Sequence, residues 1–403
     1  MPIKSRSFRV FVLACCVGAT EIVSIGDAEA GKVFRVIYDF KGGDDGGYPS
    51  GTLILDTSGN LYGVTKAAGS TNDGTVFKLS RRKVHTVLHS FSGPDGRDPG
   101  AGVIADTSGN LFGTAAEGGN SQCSFVGCGT VFKIAPSGSS QILHKFRGKS
   151  PDGGVPLGRL IDDSNGNLYG TTAGGGDNND GIIFRISPER SETVLYSFQG
   201  GSDGANPAAG LIADASGNLY GTTSAGGGSG CQSRGCGTVF KLGQDGNEVV
   251  LHAFTGGDDG AIPVASLIAD QNGNLYGTTS EGGGSGCGGD GCGTVFRIAS
   301  DGTETVLHAF QGGTDGATPE AELIMDNAGN LFGTTAFGGG ARHCACGTVF
   351  ELAPDRTVII LEALDGRSAT IPSGGLVADK KGNLYGVAVG GRGPGAIFKI
   401  TLH

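Results

Sequence analysis

The sequence predicts an all-β protein that folds as a seven-bladed β-propeller with four-stranded blades, and three observations lead to this prediction. The tetrad Gly-Asn-Leu-aromatic, followed by glycine, recurs seven times at spacings of 50 to 57 residues, a period typical of propellers and solenoids. Each unit contains four short apolar segments of strand length. The two ends of the chain supply complementary parts of one unit, which favours a closed ring. The repeated asparagines are Asn60, Asn110, Asn167, Asn218, Asn274, Asn330 and Asn383.

The first thirty residues differ from the repeats. Three basic residues precede an apolar run at residues 10–19, and a small-x-small cleavage site ends at Ala30. This order is typical of a secretory signal peptide, so we expect residues 1–30 to be removed and residues 31–403 to form the propeller. The apolar run has about half of the roughly 20 residues that a membrane-spanning helix needs. We therefore expect an exported protein without a membrane span, whether periplasmic, cell-surface or secreted.

The four strands of a blade are clearest in the fifth unit. They are LIAD at 267–270, NLYGTT at 274–279, GTVFRI at 293–298 and VLHAF at 306–310. Asp-x-x-Gly-Asn joins the first two strands, and aspartate suits the first position of a type I turn while glycine tolerates the left-handed conformation after it. We therefore expect the repeated aspartates to brace turns. They are Asp56, Asp106, Asp163, Asp214, Asp270, Asp326 and Asp379.

The ends of the chain predict how the ring closes. The seventh unit supplies strands at 376–379, 383–388 and 396–400 but lacks the fourth. The segment VFRVIYDF at 33–40 matches the end of the VLHxF strand of the other units. We predict that this N-terminal segment donates the outer strand of the last blade. Closure would hide the sheet edges that otherwise template aggregation.

The combined pattern LIxDxxGNLYGTT…GTVFKL…VLHxF…DGxxP resembles the GloVer-type tandem repeat of exported bacterial proteins, and the resemblance covers essentially all of residues 31–403. The layout is also similar to that of NHL-repeat propellers, in which a GLAVD-like inner strand precedes an NIYVAD-like second strand. The resemblance implies an exported protein and brings no particular activity with it.

The composition restricts the classes of partner. The formal net charge is −10, which disfavours a nucleic-acid groove or an anionic lipid surface. The charged fraction is only 17%, whereas intrinsic disorder normally combines low hydrophobicity with high charge. A cation or a neutral polymer is electrostatically easier to accommodate, and no nucleic-acid partner is expected.

Eight cysteines occur as local pairs in the loops between the second and third strands of blades two, four, five and six. In an exported chain such pairs are typical of disulfides. A metal–thiolate site would need four converging ligands, whereas these pairs lie on separate blades. Whether the last pair forms a bridge stays open, because such close neighbours rarely reach good disulfide geometry. The pairs are Cys123 and Cys128, Cys231 and Cys236, Cys287 and Cys292, and Cys344 and Cys346.

Two further repeat positions carry polar residues. The third position of VLHxF is histidine or tyrosine, which favours a half-buried, hydrogen-bonded site rather than a ligand. The motif Asp-Gly-x-x-Pro connects six outer strands to the next inner strand, while Asp365 precedes Pro372 by seven residues, and the motif is most simply a turn. The alternative is a carboxylate-rich mouth that binds Ca²⁺ through oxygen ligands; no other cofactor is expected. The calcium candidates are Asp45, Asp203, Asp259 and Asp315.

Function should reside where the loops depart from the repeat. The face that carries the cysteine loops has five residues, on blades four to six, that the repeat does not require. We predict that they form a ligand-binding patch. They are Arg234, Glu281, Asp290, Arg342 and His343. If the protein is catalytic, His343 together with Glu281 or Asp290 is the candidate catalytic set.

Two classes of function remain. The first is a non-catalytic exported binding protein or cell-envelope scaffold that recognises a glycan, peptide or protein on its loop face. The second is an extracellular hydrolase or lyase that acts on a polymer or lactone. The chain has no tryptophan, which weakens a sugar site built on Trp stacking and removes the Trp-docking repeats of quinone-dependent propellers. We favour binding over catalysis, although propellers host both and only a site decides between them.

Overall fold

The computed structural model describes residues 32–120, 123, 127–228, 230–340 and 345–402, together with two strands, Arg6–Arg9 and Ile22–Ile25. Seven four-stranded antiparallel blades confirm the predicted propeller. The described helical elements are single turns at Gly43–Asp45, Gly230–Ser233 and Cys287–Gly289. Within the described part of the chain, no helix is long and apolar enough to cross a membrane.

Each blade runs from an inner strand beside the central channel to an outer strand. Blade one contains Gly47–Leu55, Leu61–Ala67, Thr75–Leu79 and His85–Ser90, and blade two contains Val103–Ala105, Leu111–Ala115, Thr130–Ile134 and Ser140–Lys145. Blade three contains Ile161–Asp162, Leu168–Thr172, Ile182–Ile186 and Glu192–Ser197, beside a short ribbon of Gly153–Gly154 and Gly174–Gly175. Blade four contains Ile212–Ala213, Leu219–Thr223, Thr238–Leu242 and Glu248–Ala253, and blade five contains Ile268–Ala269, Leu275–Thr279, Thr294–Ile298 and Glu304–Ala309. Blade six contains Ile324–Asp326, Leu331–Thr335, Thr348–Leu352 and Val358–Ala363.

Blade seven is built from both ends of the chain, as predicted. Its first three strands are Val377–Ala378, Leu384–Ala388 and Ala396–Thr401, and its outer strand is Val33–Asp39. The two terminal strands pair antiparallel, with Val33 opposite Thr401 and Asp39 opposite Ala396. The chain therefore closes the ring with its own N-terminal strand.

A second pairing involves the region predicted to be a signal peptide. Strand Arg6–Arg9 pairs with Ile22–Ile25 and also with Met325 and Asp326 on the inner edge of blade six. The rest of the predicted signal peptide lies outside the described residues, so its removal stays a prediction.

The antiparallel order sorts the connections onto two faces. The connections from outer to inner strand and from second to third strand lie on one face, which we call the loop face. The connections from inner to second strand and from third to outer strand lie on the opposite face, which we call the turn face. The predicted disulfides Cys123–Cys128, Cys231–Cys236 and Cys287–Cys292 are present on the loop face. Cys346 is also in a disulfide, and Cys344 lies outside the described residues.

Neighbouring blades pack through buried phenylalanine pairs in edge-to-face contact. A phenylalanine that follows one outer strand meets a phenylalanine from the third strand of the next blade, as in Phe254 and Phe296, whose ring centroids are 5.1 Å apart. Such pairs contribute about 0.5–1.5 kcal/mol beyond the burial of their surface. Six of the blade junctions have this pair, and the junction of blades six and seven has Leu364 and Phe398 in one apolar cluster.

These phenylalanines explain the glycine that follows the aromatic residue in every repeat. A Cβ atom on Gly277 would lie 2.6 Å from Cζ of Phe296 and 2.9 Å from Cδ2 of Leu267. Real Cβ atoms do not approach other atoms so closely. The same close approach to a phenylalanine ring occurs at the equivalent glycine of every blade.

Backbone hydrogen bonds connect each blade to the next on the loop face. In all seven connections between blades, the residue before the proline has a positive φ, between 46° and 60°. Such values are rare outside glycine, above all for β-branched residues. Ile262 shows what holds it there, since its N–H donates to the Cys236 carbonyl of blade four and its own carbonyl accepts from Ser280 of blade five. The seven residues are Tyr48, Asp98, Val155, Asn206, Ile262, Thr318 and Ile371.

The repeat glycine can be tested with a single methyl group. We expect Gly277→Ala to destabilise the protein by about 1–3 kcal/mol, because the added Cβ overpacks the junction with Phe296 and Leu267. The matched control is Gly313→Ala, since a Cβ at that exposed position meets nothing within 4 Å; we expect a change below about 0.5 kcal/mol. Calorimetric melting of both variants checks the prediction. Equal melting temperatures would contradict this role of the glycine.

Candidate functional site

The two polar rings of the repeat pair with each other. The histidine or tyrosine near the end of six of the seven outer strands contacts the Asp-Gly aspartate that follows it: His89 Nε2 lies 2.8 Å from Asp95, and the Tyr196 hydroxyl donates to Asp203 at 3.0 Å. The half-buried, hydrogen-bonded position predicted for these side chains is therefore present. The pairs are Tyr38–Asp45, His89–Asp95, His144–Asp152, Tyr196–Asp203, His252–Asp259 and His308–Asp315.

The aspartates of these pairs also hold the backbone of their own connections. Asp203 accepts the N–H of Gln199 at 2.9 Å, and Asp315 accepts the N–H of Gln311 at 3.1 Å. Asp45 and Asp259 accept equivalent backbone bonds. Turn bracing thus accounts for all four calcium candidates, and calcium binding by them stays a prediction.

The repeated aspartates of the Asp-x-x-Gly-Asn turns brace those turns, as expected. Asp214 accepts the N–H groups of Ser216 and Asn218 at 2.9 Å, the Asn218 amide at 2.7 Å and the Tyr220 hydroxyl at 3.0 Å. Burial would raise the pKa of Asp214, but these bonds outweigh burial and lower it. Burial and the hydrogen bond to Asp214 raise the pKa of Tyr220 to about 12. The carboxylates of these aspartates therefore already accept hydrogen bonds from their own turns.

The structure brings together part of the predicted loop-face patch. Glu281 and Asp290 lie on the same loop of blade five; burial, and next the charge of Asp290, raise the pKa of Glu281. Arg234 is exposed on the blade-four loop, where its carbonyl accepts the N–H of Gly226 at 2.8 Å. Arg342 and His343 lie outside the described residues. The patch and the candidate catalytic set therefore stay predictions.

The inner strands surround a cavity of about 720 Å³ in the channel. Its wall is mainly apolar and includes aliphatic residues from the inner strands of six blades, among them Ile54, Ile161, Ile212, Ile268, Ile324 and Val377. Ile37 of the N-terminal strand and Leu61 and Leu79 of blade one also line it. The cavity thus extends from the channel into the junction between blades seven and one.

The turn-face end of this cavity is basic. Five cationic side chains line it, all from blades one and seven: Arg81, Lys83, Lys380, Lys381 and Lys399. We call these five residues the basic mouth. In the sequence, this basic cluster is visible as the turns SRRK at 80–83 and DKKG at 379–382, because the matching turns of the other units lack such clusters of basic residues. Sequence reasoning missed it because the two turns are about 300 residues apart.

Hydrogen bonds within the turns occupy the carboxylates beside the basic mouth. Asp379 accepts the Asn383 amide at 2.6 Å and the Tyr385 hydroxyl at 3.0 Å. Burial and the charge of Asp379 raise the pKa of Tyr385, while Arg81 opposes that rise. Nζ of Lys399 lies 5.6 Å from the centroid of the Tyr385 ring. The five cationic side chains of the mouth outnumber the two lining carboxylates, Asp56 and Asp379, so this end of the cavity is positively charged on a chain whose net charge is −10.

An ion pair crosses the channel. Nη1 of Arg159, on blade three, lies 2.8 Å from Oε1 of Glu322, on blade six, and each side chain is 19% exposed. The other blades have small residues at the same position of the inner strand: Thr52, Gly102, Gly210, Ser266 and Gly375. Both members of the pair line the cavity. We call this pair the crossbar.

Half-buried glutamates start three consecutive outer strands, each beside the Asp-Gly aspartate of the preceding connection. Burial, and next the charge of Asp203, raise the pKa of Glu248 to about 7; burial and Asp259 do the same for Glu304. The third glutamate, Glu192, comes within 4.8 Å of His144 and Asp152, a potential metal-ligand set among the described residues. Because the His–Asp pair recurs in other blades as a turn brace, this set alone does not indicate a metal.

Comparisons with known proteins agree with this architecture. The chain matches the model of the Gloeobacter/Verrucomicrobia repeat at residues 28–233, 122–340 and 231–403. No curated protein matches it. The propeller is similar to the virginiamycin B lyase of Staphylococcus aureus, with a TM-score of 0.59 and 13% identity over 93% of this chain and 100% of that one. It also matches a gluconolactonase from Xanthomonas campestris, with a TM-score of 0.44 and 11% identity over 100% and 99% of the two chains. At these identities the likeness to the lyase shows the fold alone.

The raised pKa values of the half-buried Glu248 and Glu304 predict a stability that depends on pH. A carboxyl group whose pKa is about 7 when folded and 4.5 in its reference state binds more protons in the folded protein. Stability should therefore fall as the pH rises from about 5 to about 8, by on the order of 1 kcal/mol per glutamate after allowance for solvent screening. We expect Glu248→Gln to remove the part of this decrease in stability that Glu248 causes.

Melting temperatures at several pH values between 5 and 8 test this prediction. The comparison is between variant and wild type, because burial lowers the pKa values of His85 and His252, and these groups act in the opposite direction. The control is Glu189→Gln on the blade-three turn, since that side chain is fully exposed. Identical pH profiles for Glu248→Gln and wild type would show that Glu248 titrates normally in the folded protein.

Proposed function

The chain belongs to the Gloeobacter/Verrucomicrobia repeat family, and from that premise we propose that it is an exported, non-catalytic propeller that binds amphipathic anionic ligands in its channel. The observation that carries the proposal is the basic mouth on an apolar cavity, in a protein whose net charge is −10. Such a ligand would place its apolar body against the inner strands and its anionic group at the turn face.

The apolar wall supports an amphipathic ligand. Burial of apolar surface stabilises a complex by about 25 cal/mol per Å², and aliphatic side chains from most of the inner strands face the cavity. A volume of about 720 Å³ is within the range of small-molecule sites. A small molecule is therefore a better fit than a polymer that must pass through the channel.

The basic mouth supports an anionic head group. The cations of the mouth outnumber the lining carboxylates, so an anion placed between them is stabilised by Coulombic attraction. Side-chain ammonium and guanidinium groups donate charge-assisted hydrogen bonds to carboxylate or phosphate oxygens. This site differs from the predicted loop-face patch, which lies on the other side of the ring.

The chemistry of the lining supports binding over catalysis. Among the described residues that line the cavity there is no histidine or cysteine. Asp56 and Asp379 are hydrogen-bonded within their turns, and Glu322 is paired with Arg159. The hydrolase or lyase alternative has less support, since the fold of the similar lyase does not by itself bring a reaction with it.

The disulfides support export. Three bridges are present among the described residues, and disulfides form and persist mainly in oxidising compartments. We propose that the protein works in the periplasm, at the cell surface or in the medium, after removal of residues 1–30.

Binding of decanoate tests this proposal, with decyltrimethylammonium as the cation of matching chain length. Titration calorimetry should detect decanoate binding that weakens with added salt, and no comparable binding of the cation. Lys399→Gln should weaken decanoate binding about fivefold, the effect of losing roughly 1 kcal/mol from one charge. The matched control is Lys241→Gln, because Lys241 also stacks over a second-strand tyrosine, at 5.7 Å from the Tyr220 ring centroid, but does not line the cavity. Equal losses in the two variants, or equal binding of the anion and the cation, would overturn the proposal.

A further inference from the structure

The crossbar is a departure from the repeat that the fold does not require. Five blades have threonine, serine or glycine at this repeat position, whereas blades three and six have Arg159 and Glu322. The two strands do not neighbour each other in any sheet. Their side chains nevertheless meet at 2.8 Å across the channel.

The energetics of such a pair also point away from a purely structural role. Each side chain is only 19% exposed, so both charges have lost much of their hydration. In that situation the desolvation cost can exceed the Coulombic gain, and a buried ion pair is weak evidence for stability. A small side chain at each position, as in the other blades, would avoid the cost.

We propose that Arg159 is a second anion-binding group of the channel, held by Glu322 when no ligand is present. This inference rests on the proposed function and specifies its ligand class: a molecule with an apolar middle and an anionic group at each end. One anionic group would lie in the basic mouth, and the other would replace Glu322 as the partner of Arg159.

The depth of the cavity fits such a ligand. Gly375 occupies the position of Arg159 in blade seven, and Asp379 at the turn-face rim follows it four residues later along the inner strand. A strand advances about 3.3 Å per residue, so the two levels are about 13 Å apart. An extended dicarboxylate of ten carbons has a comparable span.

The charge of Glu322 limits how strongly the channel prefers a dicarboxylate over a monocarboxylate. In the free protein it neutralises Arg159, and in the complex it would repel the inner carboxylate of the ligand. Its removal should therefore strengthen the binding of a dicarboxylate and leave a monocarboxylate, which reaches only the mouth, nearly unchanged. A carboxyl group two residues away, Glu320, offers a matched control because the cation that acts on its pKa is Lys66 rather than Arg159.

Calorimetric titration with decanedioate and decanoate tests the inference on the mature chain of residues 31–403. In wild type we expect the dicarboxylate to bind more tightly. Glu322→Gln should raise the affinity for decanedioate about tenfold and change the affinity for decanoate little. Arg159→Gln should make the two affinities similar. Glu320→Gln should change neither affinity. Melting temperatures identify any variant that fails to fold; if Arg159→Gln fails, the response of Glu322→Gln decides.

The outcomes separate the inference from the proposed function. Suppose that decanoate binds, that decanedioate binds no more tightly, and that Glu322→Gln does not change the affinity for decanedioate. The crossbar inference is then overturned, and the proposal of an anion-binding mouth stands. If neither carboxylate binds to wild type, both are overturned. A preference that survives Arg159→Gln in folded protein would also overturn the inference.

Discussion

The antiparallel pairing of Val33–Asp39 with Ala396–Thr401 is the interaction on which the rest of the structure depends. It converts a row of seven sheets into a ring. It also makes the last unit a neighbour of the first, and the basic mouth is built from side chains of these two units alone. The same N-terminal strand contributes Ile37 to the cavity wall. Closure of the fold and assembly of the candidate site are thus one event.

The frame of the ring is repeated almost without change, and this leaves function to the departures from it. Phenylalanine pairs over a glycine fill six of the seven junctions, and left-handed residues such as Ile262 link the backbones of adjacent blades on the loop face. A bulky residue keeps such a conformation only where its surroundings over-determine it. The crossbar residues and, apart from Lys83 and Lys399, the residues of the basic mouth depart from what the other units have at the same repeat positions, so the frame does not account for them.

The fold could be predicted because its signals are local and repeated. Turn aspartates, strand lengths and the matching ends are all visible within one unit or by comparison of units. The pairing of His89 with Asp95 could also have been inferred from their spacing of six residues. The crossbar could not, because Arg159 and Glu322 are 163 residues apart and only the size of the ring sets which blades face each other. The prediction placed function on the loop face because irregular loops are conspicuous, whereas the basic turns of blades one and seven gain their meaning only after closure.

The most direct test of this account is to delete Val33–Asp39 and to measure melting and decanoate binding with and without a synthetic peptide of residues 32–41. The account predicts that the shortened chain aggregates or melts at a much lower temperature and binds no decanoate, and that the peptide restores both properties by adding the missing outer strand. Unchanged melting and unchanged binding in the shortened chain would show that the ring does not need this strand, and would contradict the account.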